Sequence, residues 1–359
     1  MFAALCATDP AAPVVLLSPF SIAGALSLAA AGASAEAEAE LLKLLGVPNF
    51  DAFGAFALSV LPRPGDGVAL HVANSVWSKR SIKPAYIERL KRAGALAAPL
   101  GASYAPVNEW VKVQTEGHIT NLLEGAPDPL VKAVLVNAVF FKGSWASQFR
   151  VEATAAGHFD APTGPTAAQF MHQRAKIELA RTVSSLGGAT VARLDYGTGD
   201  GEKSYCALFV LPAEPGPASM DEAVRGLRST DLAELLSGMH TTDTKLSLPK
   251  FKAEWGASSL KPPLRALGVS ASFDGSGQFL GMSDDQELHI DDVIHKARLE
   301  VNEEGTVAAA ATAVVMRSRS IPRPPLELLF NRPFLMLLLH ASTATPLFMG
   351  RFNQPEFTP

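Results

Sequence analysis

Two arginine–serine bonds, Arg317-Ser318 and Arg319-Ser320, stand near the end of the stretch from His295 to Pro325, HKARLEVNEEGTVAAAATAVVMRSRSIPRPP. A guanidinium offers a planar, bidentate fork to a carboxylate, so an exposed Arg-Ser bond is one that a peptidase with an acidic pocket can grip. Nothing else in the chain competes with it as chemistry. His71, His118, His158, His172, His240 and His289 have no spacing that assembles a site, and no GxSxG, Walker or GxGxxG fingerprint occurs. Cys6 and Cys206 are too few for a disulfide framework, and no CxxC or His/Cys cluster suggests metal. No catalytic residues, metal or cofactor are therefore expected.

The residues leading to those bonds change pattern partway. Ala297, Leu299 and Val301 alternate with Arg298, Glu300 and Asn302, the period of a half-buried strand. Glu303-Glu304 then lead into Gly305, which has the backbone freedom of a hinge. The following run has no charge before Arg317 and no side chain larger than valine before Met316. Two readings stand. Alanine favours helix and Thr306 could cap one. Alternatively, the run is a strand in waiting, with Thr306, Ala308, Ala310, Thr312 and Val314 on one face and Val307, Ala309, Ala311, Ala313 and Val315 on the other. Protein can cover every one of these without burying a charge. Pro322, Pro324 and Pro325 hold the exit out of any helix.

Several other elements must position such a segment. Ser18-Pro19-Phe20-Ser21 precedes a helix through Ala31, with Gly32 as its stop, and a second helix follows over Ala35 to Leu45. Val68 to Trp77 reads as a strand, and Lys83-Pro84 opens a helix. Lys79, Arg80, Lys83, Arg89, Lys91 and Arg92 gather there, either as a polyanion-binding face or as an ordinary solvated one. Leu135 to Lys142 is nearly continuous apolar sequence around Asn137, the mark of a strand buried on both faces. Pro333 to Phe352 reads as a buried hairpin whose turn, from His340 to Pro346, places His340 in solvent.

The stretch from His295 to Pro325 resembles the hinge and reactive-centre loop of serpins. LLSPFSIAGALSLAAAGA (Leu16 to Ala33) resembles the family's second helix, and NEWVKVQTEGHITNLL (Asn108 to Leu123) its sheet-crossing helix. LVNAVFFKGSWASQF (Leu135 to Phe149) is similar to the central strand of the main sheet. LSLPKF (Leu246 to Phe251) and NRPFLMLLLHASTATPLFMGRFNQP (Asn331 to Pro355) match later motifs, all in the family's order. The resemblance implies an α+β serpin fold: three mainly antiparallel β-sheets surrounded by about eight helices, with an exposed reactive-centre loop at about 303–325. It implies a polar latch on the main sheet from Ser18, Ser21, Asn137 and His295, Trp145 at the sheet top, and Lys250 paired with Glu303. It implies a hinge of Glu303, Glu304, Gly305, Thr306, Val307, Ala308, Ala309, Ala310, Ala311 and Thr312, in which Val307 stands where glutamate is common. Family spacing from Gly305 places the bait bond at Arg319-Ser320, with Arg317 as a second register.

The function so implied is suicide inhibition of a protease, trypsin-like for preference, although an arginine-specific cysteine protease would accept the same bait. The alternative is a non-inhibitory serpin that binds, chaperones or is merely cleaved. Three departures from the family pattern bear on this. The usual asparagine before the Ser-Pro motif is replaced by Val14-Val15-Leu16, only the end of a first helix (Phe2 to Leu5) remains, and AAPLGASYAPVN (Ala97 to Asn108) is about ten residues short at the sheet edge.

The 359 residues contain no linker, charge block or repeat, so one domain over 1–359 is expected. Nearly half are hydrophobic, and a net charge of −4 gives no general attraction to nucleic acid or acidic membranes. No apolar run of membrane-spanning length is expected, and a monomer is. MFAALCATDPAAP (Met1 to Pro13) lacks a secretory pattern and no Asn-x-Ser/Thr sequon occurs, which points to the cytoplasm as written. Extracellular space is the expectation if the N-terminus is truncated.

Overall fold

The computed structural model describes the chain except residues 65, 198–202, 276–278, 306–323 and 359. Its helices are α1 (Phe2–Thr8), α2 (Pro19–Gly32), α3 (Ala35–Leu45), α4 (Phe50–Val60), α5 (Pro84–Arg92), α6 (Ala105–Gln114), α7 (Pro217–Gly226), α8 (Leu232–Ser237) and α9 (Lys261–Ala266). The first strands are β1 (Val14–Leu17), β2 (Val68–Ser78), β3 (Leu96–Pro99), β4 (Ala133–Gly143), β5 (Ala155–Ala161), β6 (Gly164–Val183), β7 (Ala189–Tyr196) and β8 (Tyr205–Leu211). Then come β9 (His240–Pro249), β10 (Phe251–Ser259), β11 (Asp292–Val301), β12 (Leu326–Leu329), β13 (Phe334–His340), β14 (Thr345–Phe352) and β15 (Glu356–Phe357).

Among the described residues the strands form two hydrogen-bonded sheets. The smaller has the order β15-β10-β11-β4-β2-β3. The larger has nine strands, in the order β1-β14-β13-β8-β7-β6-β9-β12 with β5 also on β6. Two of the three expected sheets are continuous because β6 runs for 20 residues. Its first part pairs with β5, its middle with β9 and its end with β7.

Helix α2 is buried along most of its length, and it touches β14 of the large sheet and β2 and β4 of the small one. Ser18 starts it: the Ser18 hydroxyl accepts from the Ser21 N–H at 3.1 Å, and Pro19 occupies the first turn where no N–H is needed. Gly32 lies inside α2 rather than past it. A Cβ there would sit 2.8 Å from the Tyr86 ring, so close packing, not a cap, explains the glycine.

Four expectations change. The sheet-crossing helix α6 stops at Gln114, well before Leu123, because Glu116 and Gly117 take positive φ. The short edge is nonetheless a strand, β3, parallel to β2. Residues Glu36–Val60 do have membrane-spanning length and a mean hydropathy of 1.3, but Gly46 in the left-handed region divides them into α3 and α4. His340 is buried as the last residue of β13, and its pKa is lowered by burial.

Candidate functional site

The seam between the two central strands of the small sheet, β4 and β11, joins its two halves. β4 and β11 run parallel there, paired from Asp292↔Val134 to Arg298↔Phe140. Beyond that pair both strands continue for three residues without pairing to each other. The seam is therefore parted at one end.

Hinge residues Glu303, Glu304 and Gly305 occupy the parted end. The Trp145 N–H donates to the Glu304 carbonyl at 3.0 Å, the Phe149 N–H donates to the Glu303 carbonyl at 2.9 Å, and Gly305 bridges to Ser144. Gly305 has φ +106°, and a Cβ would lie 2.4 Å from the Gly143 carbonyl oxygen. No other residue type fits. The Trp145 indole stacks on Tyr196 at 4.3 Å and donates its N–H to the Asn302 carbonyl at 2.9 Å. Glu303 is only 5% exposed. Its carboxylate lies 3.3 Å from the Lys250 ammonium and accepts from the Thr154 hydroxyl at 2.8 Å. Burial works to raise its pKa, but a backbone N–H, Thr154 and Lys250 together hold it below the usual carboxylate range. The carboxylate of the pair is thus buried and its ammonium half-buried, unlike an ordinary surface ion pair.

Ser18, Ser21, Asn137 and His295 come together lower in the same seam. His295 and Asn137 are register partners across it, and Asn74 on β2 is the partner of Asn137 on its other side. The Ser18 N–H donates to His295 Nε2 at 3.3 Å, so Nε2 is the acceptor and Nδ1 carries the proton, donating it to Asn137 Oδ1. The Asn137 amide hydrogens are shared among the Ser21 carbonyl at 3.0 Å, the Ser21 hydroxyl and Asn74 Oδ1. His295 is fully buried, and burial lowers its pKa to about 3. It is neutral at physiological pH.

The segment from Thr115 to Leu123 lies over this seam. The His118 ring stacks on Phe140 of β4 at 3.7 Å, while Arg298 of β11 donates to the His118 carbonyl at 2.7 Å. Lys296 of β11 donates to the Asn121 carbonyl at 3.0 Å. Both strands of the seam are therefore tied to one covering segment.

Sequence reading missed Asn74, Thr154, Asn302, His118, Lys296 and Arg298. For Asn74 a signal existed, an asparagine inside an otherwise alternating strand; the others depend on contacts between distant segments. Thr306, Val307, Ala308, Ala309, Ala310, Ala311, Thr312, Arg317, Arg319 and Ser320 lie outside the described residues. Four of the six basic residues of the α5 region have separate partners. Arg80 pairs with Asp285 and Lys83 with Asp284, Lys79 donates to the Asp128 carbonyl, and Arg89 covers the Phe50 ring.

Residues 1–355 match the family described as Serpin (serine protease inhibitor). The chain is 35% identical to Ipis-1 of Ixodes persulcatus, over 95% of this chain and 92% of that protein. It is 31% identical to the leukocyte elastase inhibitor of Bos taurus, over 99% and 96%. Human thyroxine-binding globulin, crystallised with its hormone, superposes with a TM-score of 0.83 at 23% identity, covering 99% of this chain and 95% of that one. That likeness concerns the fold.

Proposed function

The chain belongs to the serpin family, and from that premise we propose that it is a suicide-substrate inhibitor of a trypsin-like serine protease, cleaved at Arg319-Ser320. The observation that carries the reading is the parted β4–β11 seam with Gly305 already bridged to Ser144 at its open end. An inhibitor among the relatives, named for leukocyte elastase, supports it.

Chain direction explains why insertion is favourable. β4 and β11 run parallel, and the chain reverses after β11 at Gly305. A segment entering between them therefore runs antiparallel to both. The exchange replaces one parallel ladder by two antiparallel ones, the better-aligned kind. Ten inserted residues, the length of β11, make about twenty ladder bonds and cost about seven. At roughly 1 kcal/mol net per bond the gain is about a dozen kcal/mol. That rivals the whole stability of a typical domain, about 5–15 kcal/mol.

The protease serine attacks the Arg319 carbonyl and the amine of Ser320 leaves, forming an acyl-enzyme on Arg319. The freed segment enters the seam from Gly305 onward. A strand matching the 11 residues of β4 spans roughly 37 Å, so the tethered protease is carried from one pole to the other. Its oxyanion hole is pulled out of register and deacylation stalls. Loop insertion in serpins is a general example of strand addition coupled to strain release. The small residues from Thr306 to Val315 suit it, because none must bury a charge.

Mixing the protein with trypsin and separating the products on a denaturing gel tests the proposal. The expected result is a band near the summed mass that survives boiling, with a released fragment beginning at Ser320. Complete cleavage without that band would make the chain a substrate, and a fragment beginning at Ser318 would move the bait to Arg317.

A further inference from the structure

A cavity of about 740 Å³ opens on the far side of β2 from β4, between α2, α4 and the C-terminal end of α5. Its floor is one face of β2, where Leu70, Val72 and Asn74 alternate; all three are half-buried, with Leu70 and Val72 packed on the core along one flank and lining the cavity along the other. Gly54 of α4 lines it, and a Cβ added there would meet nothing within 4 Å. Apolar surface continues outward onto α4, where Leu58 is 72% and Phe56 37% exposed. Volume and lining suit a ligand with an apolar body and one polar end.

The rim fixes the sign of that polar end. Arg89 and Arg92 stand there, three residues apart on one helix, against a single carboxylate, Asp51. Arg89 is partly engaged by the Ala31 carbonyl and the Phe50 ring. Arg92 is exposed and has no ion-pair partner among the described residues. The net local charge is positive on a protein whose overall charge is −4.

We propose that this cavity binds a free fatty-acid-type carboxylate, with its chain along β2 and its headgroup at Arg92 and Arg89, and that occupancy holds the Asn137 latch closed. The second half follows from shared residues. Ser21 and Asn74 line the cavity, and both are hydrogen-bond partners of Asn137. A ligand pressed against them restrains the relative movement of α2 and β2 that parting the seam at Asn137 requires. Coupling of this kind concerns the sheet and not the protease, so it stands or falls apart from the inhibitory reading.

Isothermal titration of the full chain with dodecanoate, below its micellar concentration, tests the binding. One saturable site is expected, with the equally long cation dodecyltrimethylammonium binding at least about ten-fold more weakly. Arg92→Gln, an exposed change that leaves the core intact, should weaken dodecanoate by about five-fold, the scale of a partly solvated ion pair. Gly54→Trp should abolish the site. Equal affinity for the two probes, or titrations unmoved by both variants, would overturn the proposal. Hydrogen exchange on the same samples tests the coupling: dodecanoate should slow exchange of β4 and β11 amides around Asn137 and His295. Unchanged exchange under saturating dodecanoate would refute that half.

Discussion

His295 holds its place only as a neutral ring. Nε2 must accept from Ser18 while Nδ1 donates to Asn137, and a second proton would destroy the acceptor. Burial takes its folded pKa to about 3, whereas the unfolded ring titrates near 6.5. Between those values the unfolded chain binds the extra proton and the folded chain does not, so this contribution is intact above pH 6.5 and is lost as pH falls toward 3. The full loss is roughly 5 kcal/mol. Urea midpoints should therefore fall steadily from pH 7 to pH 4, and the slope should flatten in His295→Gln; an identical slope in that variant would contradict the assignment. Thr306, the hinge residue next to Gly305, should tolerate no charge. Thr306→Arg should leave trypsin cleavage at Arg319 intact while abolishing the boil-resistant complex, read on a gel; a complex at normal yield would sink the insertion requirement. At this scale the four latch residues were legible because three separate motifs supplied them. Asn74 was not, because its role depends on a neighbour 63 positions away across the β2–β4 register.

Under the proposed function the β4–β11 seam is the element that opens, and the segment from Thr115 to Leu123 is its cover. New side chains inserted between β4 and β11 must displace a cover that is tied to Arg298, Lys296 and Phe140. Removing the two cationic ties should cost about 1–3 kcal/mol of native stability, since hydrogen bonds from charged donors are the stronger kind. Arg298→Ala combined with Lys296→Ala should also speed trypsin inhibition several-fold, as followed by loss of protease activity with time. Slower inhibition would mean that the cover assists insertion. Alternation found β2 and β11 and a continuous apolar run found β4, whereas the family resemblance of Asn108 to Leu123 extended α6 over this cover. What ends the helix is the positive φ of Glu116 and Gly117, while the Thr115 hydroxyl bonds the Val111 and Ile119 carbonyls. Such a stop is set by packing on the sheet and has little local signature.

For the whole molecule the order of motifs along the chain was enough to give the architecture, since each motif matched a family element in sequence. Its sheet count was less legible. Whether β6 bends out of one sheet into another or carries its hydrogen bonds through is decided by three partners, β5, β7 and β9, that lie before and after it in the chain. Under the proposed function the described state is one of two folds of the chain, and the better one is reached by filling the seam. Cleavage at Arg319 is what releases that conversion, and calorimetry of the cleaved protein tests it most directly. About a dozen kcal/mol added to 359 residues, whose unfolding entropy is about 0.75 kcal/mol per kelvin, should raise the melting temperature by about 15 °C. An unchanged or lower melting temperature after complete cleavage would mean a nicked loop that stays outside the sheet, and would contradict the proposed conversion.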